Sequence, residues 1–166
     1  ALICGLLFNG LFQLKALGRQ LNIVVELHNR KIDLITQTQV AAHIRTDSLF
    51  RMVLADDPFE RDAHFLRFNH AGFLVMQGRN SLRELGLTPT EQRNFDAQTQ
   101  LIMRIRTVQE HLIDLLHANQ YLMARQVLVH EAIPLQEQFN QQLATMRTAY
   151  QRANLAAQKQ AQQTYR

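Results

Sequence analysis

The chain has 166 residues, 46% of them hydrophobic, which is enough for one domain with a real core and too few for two ordinary ones. Six Gly, three Pro and no Trp describe long helices, because strands and their turns need more breakers and more β-branched residues; all-β and Rossmann-type folds are excluded. A net charge of +4 suits an acidic ligand, an anionic membrane surface or nucleic acid without choosing among them, and a lone Cys4 excludes an internal disulfide and a thiolate metal site.

The first fourteen residues, ALICGLLFNGLFQL, carry no charge. They fall short of the roughly 20 residues that cross a bilayer, but they suit the C-terminal part of a transmembrane helix whose beginning lies upstream. Residues 1–14 are therefore expected to be membrane-embedded and residues 15–166 to form the folded domain. The alternatives are a buried apolar helix end and a signal-peptide core, the latter disfavoured because no small-residue cleavage pattern interrupts the run into Lys15; Lys15 and Arg19 directly after the stretch would by charge prefer the cytoplasmic side.

From Leu14 onward apolar residues recur through Leu17, Leu21 and Val24 and again at Ile35, Ala42, Leu49 and Met52, with no breaker from Arg19 to Asp57. One long helix is predicted there. It stops at DDPFE, where Asp57 is a good N-cap, Pro58 suits the first helical position and Glu60 stands at the third, an Asp variant of the capping box. The second helix is expected to bury Phe59, Ala63, Leu66, Phe73 and Leu82 and to stop at Gly86 in a left-handed conformation. Thr88, Pro89 and Glu91 repeat the cap logic and start a third helix with Phe95, Ile102, Ile105, Leu112 and Leu116 inward. After a turn over His117 to Gln120, a fourth helix runs from about Tyr121 to the end. Its predicted stripe is Leu128, Ala132, Leu135, Phe139, Leu143, Met146, Tyr150, Ala153 and Ala157, and Pro134 should kink it.

Short turns dictate an all-α, antiparallel up-down-up-down four-helix bundle. At 1.5 Å per residue the two central helices measure roughly 42 Å, whereas the first beyond Leu14 and the fourth measure about 60 and 70 Å. The excess, roughly residues 15 to 28 and 149 to 166, is expected to project toward the apolar N-terminus. A pair of helices cannot bury its apolar stripes alone, so pairing with a second copy is expected. The basic end of the chain, with Arg152, Lys159, Tyr165 and Arg166 and no acid after Glu137, suits an anionic head-group surface or an ordinary solvated helix end.

Two long outer helices, a shorter central pair, the apolar lead-in and the stretch TDSLFRMVLADDPFERD (residues 46 to 62) resemble the four-helix-bundle sensor domain of bacterial methyl-accepting chemotaxis receptors, with related domains preceding diguanylate cyclases and histidine kinases. The resemblance runs from Leu14 to Arg166. It implies a periplasmic ligand-sensing domain anchored in the inner membrane by flanking helices, homodimeric, without a cofactor, that passes a displacement of the fourth helix to a cytoplasmic output module. In the resembled receptors, arginines late in the first helix and polar groups early in the fourth contact an organic anion or amino acid. Carried onto this chain, that implies Arg45 and Arg51 with Gln126 and His130.

Arg45 also stands out on its own, because it falls on the stripe of Thr38, Ala42, Leu49 and Met52, where an unpaired guanidinium is costly to bury. It needs an anion nearby: a ligand carboxylate, or else it pairs with an Asp or Glu of a neighbouring helix or sets dimer register as a polar seam residue. Arg51 lies about 240° around the helix, so the two arginines do not naturally serve one pocket. His28 and Lys31 share the seam lower down, as a pH-sensitive contact or as tolerated polar residues at a wet dimer seam.

Enzyme chemistry has little footing. No Glu is followed three residues later by His, as di-iron bundles require, and no Gly-rich phosphate loop or G-x-S-x-G occurs. Asp56, Asp57, Glu60 and Asp62 lack calcium-loop spacing. A haem held by His and Met stays open, C-x-x-C-H being absent. Nucleic-acid binding lacks a recognition helix or aromatic platform. The runner-up is a helical oligomerisation or adaptor protein.

Overall fold

The computed structural model describes the backbone of residues 2–164 and the side chains of residues 18–160, 162 and 163. Helix α1 (Leu2–Leu54) is followed by α2 (Pro58–Glu84), α3 (Pro89–His117), α4 (Tyr121–Val127), a π-turn over Leu128–Ala132, and α5 (Ile133–Thr164). No strand occurs among the described residues. The chain divides into two units: residues 34–145 form one, and residues 1–33 with 146–166 form the other.

Within residues 34–145 the arrangement is the all-α four-helix bundle, and its turns are set by local chemistry. Asp57 caps α2 by accepting from the Phe59 N–H at 3.0 Å, with Pro58 at the first helical position. The expected reciprocal contact from Glu60 is replaced: its carboxylate lies 3.6 Å from His64, one turn on. Gly86 ends α2 at φ 84°, and Thr88 with Glu91 forms the full capping box of α3, each side chain bonded to the other's backbone N–H. Thr88→Ala should therefore lower stability by about 1 kcal/mol, read from the urea midpoint; an unchanged midpoint would mean that α3 starts without its cap. At the opposite end, Arg61 donates to the Ala55 carbonyl at 2.7 Å and lies over the Tyr121 ring, which fastens the α1–α2 and α3–α4 turns together as the antiparallel order requires.

The inner face of α2 differs from the predicted one. Phe68, Ala71, Val75, Gly78, Arg79 and Leu82 are buried, whereas Phe59, Leu66 and Phe73 are exposed. Two apolar stripes of heptad spacing run along this helix, and the buried one includes a glycine and an arginine that a hydrophobicity pattern discounts. The core near the turns packs Leu49, Met52 and Val53 of α1 against Phe68, Leu112, Leu115 and Leu116, and against Ala124, Leu128 and Ala132.

The fourth helix also departs from expectation. Instead of a simple kink at Pro134, the chain widens into the π-turn just before it, and the Ile133 N–H donates to the Leu128 carbonyl five residues back. A proline inside an α-helix lacks a donor and crowds the carbonyl four residues earlier; a wider turn relieves both defects. Beyond it, Leu135, Phe139, Leu143, Met146, Tyr150 and Asn154 are buried, while Ala153 faces solvent. From Ala124 the buried positions recur by 4, 4 and 3, an eleven-residue repeat, and that repeat selects Asn154 over Ala153.

In the other unit, Asn154 Nδ2 donates to Asn29 Oδ1 at 2.6 Å, His28 packs on the Tyr150 ring, and the buried Lys31 ammonium lies 5.1 Å over the same ring. His28 and Lys31 thus pack within one chain, on Tyr150. The reading of residues 1–14 as the end of a membrane helix concerns side chains outside the described residues, as does that of Tyr165 and Arg166. Among the described residues no helix is long and apolar enough to cross a membrane.

Candidate functional site

One helical turn beyond the core around Leu49, the bundle stops being filled. A cavity of about 510 Å³ opens there between α1, α2, α3 and α5. Its walls are mostly apolar: Ala42, Phe73, Val75, Met76, Ile102, Met103, Ile105 and Phe139, joined by Arg45, Gly72, Thr99, Arg106, Gln109 and Gln136. A cavity of this size with a few convergent polar groups is the usual form of a small-molecule site.

Arg45 is its electrostatic centre. Nε donates to Gln109 Oε1 at 3.0 Å, one Nη donates to the Phe68 carbonyl at 3.1 Å, and the guanidinium stacks 3.7 Å from the Phe68 ring centroid. The other Nη makes no hydrogen bond among the described residues. Both partners are neutral, so the expected pairing with an Asp or Glu of a neighbouring helix is not seen among the described residues. Burial pulls the pKa down to about 10, the Arg106 charge pushes the same way, and Glu110 opposes. The group is still cationic at neutral pH, and its charge lacks a direct counter-ion among the described residues.

The glycine at position 72 makes this arrangement possible. A Cβ there would overlap Arg45 Nη1 and the guanidinium carbon, so any larger residue would displace the guanidinium from its present place beside α2. Arg106, on the cavity rim, donates to Glu110 at 2.7 Å, and that bond raises its pKa.

A second guanidinium, this one fully buried, supports the wall. Arg79 donates to Gln98 Oε1 at 2.6 Å and to Thr99 Oγ1 at 2.9 Å, and stacks on Phe95. Thr99 in turn donates to the Phe95 carbonyl, so its hydroxyl is committed where it lines the cavity. Burial, and then the Arg83 charge, lower the Arg79 pKa to about 10. Arg45 and Arg79 are built alike: an arginine, a glutamine of α3, and a phenylalanine that supplies both ring and carbonyl.

The structure does not bring the four sequence candidates together. Arg45 lines the cavity. Arg51 is exposed on the outside of α1, paired with Asp47 at 2.9 Å, and Arg67 lies 3.9 Å from the same carboxylate. Gln126 is exposed on α4, and His130 is exposed in the π-turn, where it borders a separate surface pocket with Arg104 and Glu131. Arg106, Gln109, Gly72 and Arg79 went unnoticed in the sequence. The available signals were a glycine inside a helix that has no turn there, and glutamines at Gln98 and Gln109 on the buried stripe of α3.

A family model described as a four helix bundle sensory module for signal transduction matches residues 1–165. The chain belongs to that family. No curated protein and no solved structure matches it. The sensory module thus carries a mostly apolar cavity between its helices, with one guanidinium that has no direct counter-ion among the described residues.

Proposed function

We propose that this sensory module is the periplasmic ligand-sensing domain of a bacterial inner-membrane receptor of the chemotaxis-transducer type, and that it recognises a small organic anion through Arg45. The observation that carries this reading is the guanidinium itself: half-buried on the wall of a cavity and, among the described residues, bonded only to neutral acceptors with one Nη uncommitted. An anion seated there supplies the missing counter-charge and makes charge-assisted hydrogen bonds. The module is non-catalytic in this reading, and its output is a small displacement of α5 passed to a cytoplasmic partner domain. The same domain could equally serve a diguanylate cyclase or histidine kinase.

Two further features support the receptor reading. The uncharged residues 1–14 suit the end of an anchoring helix. In the unit of residues 1–33 and 146–166, Ile23, Val24 and Leu155 are exposed apolar side chains that a second copy would cover, in line with a homodimer.

The test is thermal unfolding of the purified module with benzoate, succinate or L-glutamate at millimolar concentration. At least one should raise the Tm of the wild-type protein, because a ligand that binds only the folded state stabilises it by mass action. Arg45→Gln should keep helical content and abolish the rise. No rise with any probe, or a rise retained by Arg45→Gln, overturns the reading.

A further inference from the structure

The cavity also says which kind of anion it takes, an inference that rests on the reading of Arg45 as the anion contact. We propose that the ligand is an aromatic monocarboxylate, its carboxylate on Arg45 and its ring between the apolar walls.

The charge count comes first. Two cations line the cavity and no acidic side chain does. Arg106 is paired directly with Glu110 at 2.7 Å, which leaves Arg45 without an ion pair of its own among the described residues. One uncompensated positive charge selects a monoanion. A dicarboxylate would bring a second charge with no partner into walls that are mostly hydrocarbon, at a large desolvation cost. An amino acid fares no better, because its ammonium would enter a cavity that holds two guanidiniums and no free carboxylate.

The walls then choose the body of the ligand. Phe73 and Met76 of α2, Ile102 and Met103 of α3, and Phe139 of α5 face the space, and the thioethers of two methionines are favourable neighbours for an aromatic ring. Phe139 is almost wholly buried, whereas Phe73, Met76 and Met103 are more than two-fifths exposed and form the rim. The exposure of three large apolar side chains around one opening is the arrangement expected where an apolar ligand completes the surface. The ring that stacks on Arg45 is already present as Phe68, so the ligand needs only to supply the carboxylate and to fill the hydrocarbon side.

Isothermal titration of the wild-type module with benzoate, cyclohexanecarboxylate, succinate and L-phenylalanine tests this directly. Benzoate should bind at least about tenfold more tightly than succinate or L-phenylalanine, and more tightly than cyclohexanecarboxylate. Arg45→Gln should weaken benzoate by about thirtyfold or more, the loss expected of one charge-assisted contact. Met76→Gln, on the rim, should weaken benzoate while leaving the Tm of the free protein unchanged.

Succinate or L-phenylalanine binding as tightly as benzoate, with Arg45→Gln still abolishing it, overturns the aromatic monocarboxylate and leaves the anion-sensor reading standing. Cyclohexanecarboxylate matching benzoate overturns the aromatic ring alone. No binding by any of the four, or benzoate binding indifferent to Arg45→Gln, overturns both.

Discussion

Arg79→Met is expected to lower the stability of the module by about 2–3 kcal/mol, and Arg79→Met combined with Gln98→Leu to recover most of that loss. The arginine is 4% exposed and the glutamine 1% exposed, so neither has water to fall back on. Removing the guanidinium takes the 2.6 Å charged donor from Gln98 Oε1 inside the bundle. The Phe95 carbonyl suffers less, because Thr99 continues to donate to it. Replacing both members leaves two apolar side chains of similar volume facing each other, and the desolvation penalty of the guanidinium disappears with it. Urea unfolding of the two singles and the double forms the cycle. If the double is no more stable than Arg79→Met alone, the Arg79–Gln98 contact is not what holds α2 to α3.

Phe139→Ala should cost more, about 3–5 kcal/mol, since a fully buried aromatic ring is deleted and its space adjoins an existing cavity. The helices around Phe139 are long, and α2 and α3 each start at a side-chain N-cap, so collapse into the vacated volume is resisted. A loss below about 1 kcal/mol would show that the walls relax inward, and would mean that the cavity is not preformed.

Much of the fold was legible because the decisive signals are local. The Thr88–Glu91 capping box and the left-handed Gly86 involve neighbours only a few residues apart, and both stand as read. Arg45 was legible for a related reason: the stripe from Ile35 to Met52 is a regular heptad, so a charged residue upon it is conspicuous. The inner face of α2 was not. Phe59, Leu66 and Phe73 form as good an apolar row as Phe68, Ala71 and Val75, and only the partner helices decide between them. Arg79 was hidden by the same ambiguity, since on the wrong face it reads as a solvated charge. Pro134 located the irregularity in the fourth helix, but whether a proline is absorbed by a bend or by a wider turn depends on what packs around it. Arg106 lies off the buried stripe of α3, and its place on the cavity rim is a property of the assembled bundle alone.

The unequal repeats of the helices bear on how this module can change in length. Along α1 the buried positions from Lys31 to Met52 return every seven residues, and along α5 they return every eleven. Deleting seven residues from α1 leaves its inner face in place, whereas the same deletion in α5 turns everything after it by roughly 33°. Deleting eleven preserves the face of α5 but shortens it by about 16 Å, against about 10 Å for one heptad. No single slice can be removed across the bundle with every helix kept in phase, so insertions and deletions are expected to concentrate in the turns at 55–57, 85–88 and 118–120.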